Sequence, residues 1–526
     1  MFWLLIGLLL AIFCWFNYKK LNYWADKGVK QKKVFLLYEL FKVIYMKKPF
    51  AEFIQDSYNE FPNSRYSGGF QFYRPVLVLR DSELIKQITV KDFDHFTDHM
   101  NFIPEGTEPL WTSNLFALKG DKWRDMRATL SPAFTGSKMR AMFVLMSECA
   151  QEVSKHFENH PEESKSIEMK DLFTRYTNDV IATCAFGVTC NSIKHRNNEF
   201  YLMGKLATNF MGFWKNLKLI LYIMMPKLFK VIGISFFDKK VSTFFRRIVK
   251  DTIKMREENN ITRPDMIHLL MEARKGRFNY EETSAVQETG FATVEESEVG
   301  MNAKKQKDAI TDDDITAQAL IFFFAGFESV ATLMVLMAYE LALNPDIQDR
   351  LQKEIDSVLE VYDGNITYEA INKMKYLDMV TSETLRKWPI AIGMDRVCVK
   401  PYTIQAVLSD EKPVTLKVGD VISVPVYGIH RDPKYYPNPE KFDPERFNDE
   451  NKMNIQSYMY LPFGSGPRNC IGSRFALLET KVVLVSLLTK FNIVVTEKSE
   501  IPLKLSKTGF NFNSKNGFWF GLKRRA

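Results

Sequence analysis

Cysteine and histidine are scarce in this 526-residue chain, six of the first and seven of the second. The cysteines are Cys14, Cys149, Cys184, Cys190, Cys398 and Cys470, and only Cys184 and Cys190 lie close together. That spacing excludes a disulfide framework, and no histidine repeats at ligand spacing with the cysteines to make a zinc or iron–sulfur signature. A reducing compartment fits the main body of such a chain. Also absent is any Gly-x-Gly-x-x-Gly fingerprint after a predicted strand, so no nicotinamide- or flavin-binding unit is expected within the chain. Repeats, collagen-like tracts and proline-rich tracts are missing too.

What is present is the composition of a packed globular protein: 46% apolar and 25% charged residues, with 42 phenylalanines. Length alone suggests about three domains, yet no composition shift divides the chain into them. The net charge of +8 suits an anionic partner or membrane surface as well as plain solubility.

The chain opens with "MFWLLIGLLLAIFCWFNY", an apolar run followed by Lys19, Lys20, Lys27, Lys30, Lys32 and Lys33. Such a run is short for a membrane span but sufficient with aromatic ends at the interface. A cleaved signal peptide would have a basic start and a small-residue cleavage site, and neither is seen. The expectation is a transmembrane anchor over residues 1–18, a basic linker over 19–33 and one large domain over 34–526. The lysines after the run place that domain in the cytosol.

Beyond the linker, apolar residues recur at three and four spacing, as in "SKMRAMFVLMSECAQEVSKHF", and predict helices. Short alternating stretches ("FQFYRPVLVLR", "YTIQAVLS", "VGDVISVPV", "GFNFNSKNGFWFGL") predict strands. The fold class is therefore mainly α with small β-sheets. A polar, aperiodic segment at 279–309 reads as a surface loop. The stretch Phe210–Gly233 is apolar yet studded with lysine, which fits either a core helix pair or a surface dipping into a membrane interface.

An acidic cap, Thr311 to Asp314, opens a helix that runs to Pro345. Glu328 and Ser329 in its middle argue against a membrane span and for a helix through a large core, because a carboxylate at the bilayer centre costs roughly 2.5–3.5 kcal/mol. Gly326 beside them permits a close approach or a kink. The acid–alcohol pair reads either as a buried hydrogen-bonding pair or as a proton relay. In a later helix, stopped by Pro389, Glu383 and Arg386 share a face. On a surface such a pair is worth about 0–1 kcal/mol. With Arg446 it could instead form a structural triad.

Cys470 lies in "FGSGPRNCIGS", between glycines, beside Arg468 and just before an apolar helix. Free N–H groups and the helix dipole at that terminus are expected to lower the thiol pKa. The resulting thiolate is a nucleophile or an iron ligand, and no histidine base adjoins it. Glycines that bring a flat ligand close, and cations for its carboxylates, are what haem ligation by thiolate requires.

Phe463, Gly466, Arg468, Cys470 and Gly472 match F-x-x-G-x-R-x-C-x-G, and Glu383–Arg386 matches E-x-x-R. "PERF" (444–447), "WRDMR" (123–127) and "AGFES" (325–329) complete a set in which the chain resembles the cytochromes P450, the haem-thiolate monooxygenases. The flanking stretches look most like the insect microsomal families six and nine. The resemblance implies a single haem domain of mainly α structure with a smaller β-rich lobe. It makes Cys470 the axial ligand of haem b iron, with Trp123, Arg127, Arg396 and Arg468 holding the propionates and Phe463 covering the thiolate side. Glu383, Arg386 and Arg446 become the structural triad, and Glu328 and Ser329 the proton-delivering pair, with serine where the family usually has threonine.

Pocket residues are implied in Phe102–Phe116, Ile321–Ser329, Ile390–Met394 and Phe510–Phe512. Electrons would come from NADPH through cytochrome P450 reductase, with cytochrome b5 an optional donor. The location would be the endoplasmic reticulum membrane and the substrate a lipophilic small molecule, by analogy a plant toxin or insecticide; no nucleic-acid partner is expected. The alternatives are a hydroxylase of endogenous hormones or lipids, a reductase-independent haem-thiolate isomerase, and a non-catalytic haem sensor or carrier. The intact acid–alcohol pair argues against the last two.

Overall fold

The spacing that predicts helices is realised through most of the chain, 54% of which is helical. The computed structural model describes residues 18–32, 48–71, 74–101, 103, 108–208, 235–263, 265–275, 290–293, 310–507, 509 and 511–525, with 217, 218, 221, 222, 225 and 231. The expected anchor thus lies outside the described residues except for Tyr18, as does most of Phe210–Gly233 and of the segment 279–309. The helices that position the site are α1 (Gly120–Leu130), α2 (Gly136–Asn159), α3 (Met169–Ile181), α4 (Asp312–Leu343), α5 (Lys375–Lys387) and α6 (Ser473–Leu488).

Among the described residues there are nine short strands: β1 (Tyr66–Gln71), β2 (Arg74–Leu79), β3 (Ile167–Glu168), β4 (Met394–Val397), β5 (Tyr402–Ile404), β6 (Val414–Leu416), β7 (Val421–Val424), β8 (Phe491–Val495) and β9 (Trp519–Arg524). The predicted alternation falls on β1, β2, β5, β7 and β9, while β3, β4, β6 and β8 lie outside the stretches that predict strands. They form sheets ordered β1-β2-β7-β4, β3-β9-β8 and β5-β6. In the first, β2 and β7 run parallel although far apart in sequence.

The stretch expected as a basic linker is folded onto this β-rich lobe. Trp24 is completely buried, and the Gly68 N–H donates to the Lys30 carbonyl at 2.8 Å. Lys27, Lys30 and Lys32 pair with Asp420, Asp410 and Glu60 at 2.9, 2.6 and 2.6 Å. Lysine-rich sequence reads as solvated until an acidic counterpart, distant in the chain, is brought beside it.

Helix α4 is the axis of the core. Thr311 and Asp314 form a reciprocal capping box at its start, which satisfies two of the donors a helix N-terminus leaves open. It is apolar enough to cross a membrane, yet 61% of its most apolar window is buried inside the protein. It packs along α3. A Cβ on Gly326 would stand 2.8 Å from Ile181 Cδ1, so the close approach that Gly326 permits is that of α3.

Glu383 and Arg386 on α5 are both fully buried, unlike the surface pair that spacing alone suggests. Arg386 Nε and Nη2 donate to the two Glu383 oxygens at 2.7 and 2.9 Å, and Nη1 donates to the His430 carbonyl at 2.9 Å. The Asp443 N–H donates to Glu383 Oε1 at 2.9 Å, and Arg446 Nε lies 3.5 Å from the same oxygen. His430, completely buried, accepts from the Leu461 N–H at Nε2 (2.8 Å) and stacks on Tyr460. Burial, then the adjacent Arg386 cation, holds its pKa down to about 3.

Removing one partner of a buried pair strands the other's charge. Arg386→Ala should therefore lose about 3–5 kcal/mol of stability by denaturant melting, and Arg446→Ala, whose side chain is partly exposed, distinctly less. His430 adds a pH dependence. Its folded pKa lies below the unfolded value of about 6.5, so the unfolded chain takes up the proton first as pH falls. Its contribution is complete above about pH 6.5 and declines toward pH 3, at up to about 1.4 kcal/mol per pH unit. In His430→Gln this acid-side slope should be shallower by one proton.

Candidate active site

The loop before α6 is shaped by backbone contacts. Gly466 has φ +70°, and a Cβ there would stand 1.8 Å from the Thr89 carbonyl oxygen, so no other residue fits. Within the loop, the Cys470 N–H donates to the Phe463 carbonyl at 2.9 Å. Phe463 packs beside Leu333, Leu385 and Leu477. The Cys470 thiol is free and exposed. Burial nevertheless pushes its pKa up, against the Gly472 N–H and the Arg127 charge. The sequence expectation of a lowered thiol pKa is thereby reversed, because desolvation outweighs the helix terminus.

In the middle of α4, Ala325 is exposed, and Ile321, Phe322 and Ser329 are half-buried beside it. Phe322 and Ile471, the neighbour of Cys470, both pack against the two largest core clusters. Aromatic rings adjoin this stretch of α4: Trp111, on the helical turn Pro109–Thr112, meets Phe324 at 5.8 Å and Phe116 at 6.4 Å. Phe512, expected near a pocket, is core, packed on Trp388 and Tyr427. Phe102 and Phe510 lie outside the described residues.

Cations gather beside the loop. Arg468 is buried and donates to the carbonyls of Thr97 (2.7 Å), Leu115 (3.3 Å), Phe116 (3.4 Å) and Leu118 (2.6 Å), with its guanidinium 4.1 Å from the Trp123 ring centroid. Arg396 donates to the carbonyls of Asp395 (2.7 Å) and Ser465 (2.9 Å), and its buried Nε has no hydrogen-bond partner among the described residues. Arg127 on α1 donates to the Asn469 carbonyl and side-chain oxygen at 2.8 and 2.7 Å. Burial, then the Arg396 charge, depresses the Arg468 pKa to about 9, and burial depresses that of Arg396 to about 10. A guanidinium stays protonated in proteins, so these shifts register the cost of burying two cations, with Asp98 3.9 Å from Arg468 and Asp395 next to Arg396 as the acids that offset it in part.

Sequence reasoning missed four residues here. His99 stacks on Phe116 at 4.7 Å, and its Nδ1 lies 3.3 Å from Asp395. Burial opposes it, yet His99, the Met100 N–H and Arg396 together hold the Asp395 carboxyl below its ordinary range. Gln318 on α4 bridges the Ser113 carbonyl and the Leu115 N–H at 2.7 and 2.8 Å, which aims the 115–118 carbonyls at Arg468. None of these lies in a recognisable motif.

The acid and alcohol of α4 are held apart. Ser329 Oγ donates back to the Ala325 carbonyl. Glu328 turns toward α3, its Oε1 2.9 Å from Lys170 Nζ, and Lys170 also bonds the Thr332 hydroxyl. Lys170 is the fourth residue that sequence reasoning missed, since only the packing of α3 on α4 brings it there.

These features fit a planar group carrying a soft-ligated metal and two carboxylates: one open sulfur, several buried cations beside it, and one buried N–H without a partner among the described residues. A family model described as cytochrome P450 matches residues 33–519. The chain is 51% identical to cytochrome P450 9e2 of Blattella germanica over 499 residues, 92% of this chain and 90% of that protein. It is 38% identical over 527 residues to cytochrome P450 9c1 of Drosophila melanogaster, 99% of this chain and 97% of that one. With cytochrome P450 6a2 of the same fly it shares 34% over 530 residues, 99% of each. Replacing Arg468 by leucine should lower the ratio of Soret to protein absorbance after gel filtration by at least severalfold, while Arg124→Leu, on the exposed side of α1, leaves it unchanged.

Proposed function

The chain belongs to the cytochrome P450 family and is a monooxygenase; on that premise we propose that it oxidises lipophilic foreign compounds, with Cys470 as the haem-iron ligand. The observation that carries the reading is the open thiol in a glycine-shaped loop beside the buried Arg127, Arg396 and Arg468. When bound, the haem supplies the iron at which dioxygen is activated and one oxygen atom is transferred to substrate.

The chain's own groups do the rest. The Gly472 N–H and the Arg127 charge favour the thiolate that burial resists, and a bound iron would favour it further. Arg127, Arg396 and Arg468, with Trp123 and His99, are the groups that would hold the propionates. Trp111, Phe116 and Phe324 offer an apolar aromatic wall that orients a hydrophobic substrate and excludes water. Ser329 is the hydroxyl nearest in the chain to the exposed Ala325, and proton delivery requires its O–H to leave the Ala325 carbonyl. Glu328 recharges it after release from Lys170, which holds the acid in reserve.

Electrons are proposed to arrive from NADPH through cytochrome P450 reductase, with cytochrome b5 as a second donor. A membrane anchor over residues 1–18 would place the enzyme on the endoplasmic reticulum with its catalytic domain in the cytosol. The similarity to insect proteins of families 9 and 6 supports foreign compounds over endogenous hormones or lipids.

The ferrous–carbonyl difference spectrum tests the centre: a strongly red-shifted Soret band in the wild type that Cys470→Ser abolishes is the expected result. A folded haem protein without that band would overturn the ligand assignment. Serine lacks the β-methyl that restricts rotamers. Ser329→Thr should therefore raise product formed per NADPH and lower peroxide release, and equal or greater leakage counts against the relay. Glu328→Gln should lower kcat by about tenfold or more, with substrate-binding spectra unchanged.

A further inference from the structure

Helix α2 ends in His156, one turn before His160, and the chain then turns through Glu162 and Glu163 before entering β3. Donor atoms of His160, Glu162 and Glu163 all lie within 4.8 Å of one another. His156 Nε2 stands 3.1 Å from Glu163 Oε2, and His160 Nδ1 stands 3.5 Å from Glu162 Oε1. The two imidazoles are adjacent, with ring centroids 4.8 Å apart. Ligands about 2.1 Å from one tetrahedral ion are about 3.4 Å from each other, which the separation within each nitrogen–oxygen pair matches; His160, Glu162 and Glu163 already converge, and His156 joins them through Glu163.

We propose that His156, His160, Glu162 and Glu163 bind one divalent transition-metal ion of the zinc class, independently of the haem cradle. Two imidazole nitrogens with two carboxylates favour zinc and its neighbours over magnesium or calcium, which take all-oxygen sets. The carboxylates would neutralise the ion's charge. Arg196, a cation that acts on Glu163, is itself engaged by Asp171 at 3.1 Å and leaves the site open.

The placement gives binding a structural consequence. His156 and Glu163 also line a surface cleft of about 510 Å³ whose other walls include Asp171, Arg175 and Trp519. Glu163–Lys165 leads into β3, which pairs with β9. An ion on this set would clamp the end of α2 to the turn entering the β3-β9-β8 sheet, and would displace the protons that the His–Glu contacts share.

Calorimetric titration of the chelator-treated holoenzyme with Zn²⁺, in Mg²⁺-containing buffer, tests this. One equivalent should bind, with affinity at least tenfold weaker in His156→Ala and in His160→Gln, and the ferrous–carbonyl spectrum of both variants should match the wild type. Zn²⁺ should also raise the Tm of the wild type and not that of the double variant. Equal affinity in the wild type and the double variant, the absence of a stoichiometric heat, or full competition by Mg²⁺ would each overturn the site and leave two surface His–Glu pairs.

Discussion

A buried ion pair, Glu383 with Arg386, sets the geometry on which the haem loop depends. Neither residue touches solvent, so each charge must be met by a fixed partner. The partners recruited are backbone groups far along the chain: the carbonyls of His430 and Lys441 and the N–H of Asp443. His430 passes the constraint on, because its ring nitrogen takes the Leu461 N–H. Two residues later, the Phe463 carbonyl takes the N–H of Cys470. A continuous series of hydrogen bonds and short backbone links thus runs from a helix on one side of the core to the sulfur on the other. A pair that contributes little on a surface becomes, once desolvated, a fastening for three chain segments.

The cradle around that sulfur follows the opposite rule. Arg468 and Arg396 are buried without a full complement of anions, satisfied mainly by carbonyl oxygens. Such an arrangement is unfavourable alone and is relieved by a dianion, so it acts as a preorganised receptor. The same desolvation raises the thiol pKa; on the proposed ligand role, a bound metal would favour the thiolate. Under that proposal, cofactor binding and local electrostatics would be coupled.

Across the central helix, Lys170 separates the acid and the alcohol proposed to handle protons. Ser329 lies one turn beyond Ala325, while Glu328 is drawn to α3 by the lysine. The acid is partly buried and engaged by the lysine, while the alcohol bonds its own helix. On the proposed relay, proton supply would depend on release of that ion pair.

Much of this was legible from residue order. The acidic cap and long apolar run define α4, and a glycine-flanked cysteine before an apolar helix defines the ligand loop, because capping, periodicity and backbone freedom are local properties. The motif residues Trp123, Arg127, Arg396 and Arg468 are likewise visible as a resemblance. Tertiary structure alone decided the rest. Glu383 and Arg386 are buried and not superficial because other segments cover them. The Cys470 thiol is raised in pKa and not lowered because desolvation sums over every surrounding element. Lysines of the segment expected as a linker are ion-paired because distant acids meet them. His99, Asp395, Gln318 and Lys170 acquire roles only through contacts between segments remote in sequence, since burial and charge pairing are properties of the packed molecule, and no local pattern encodes them.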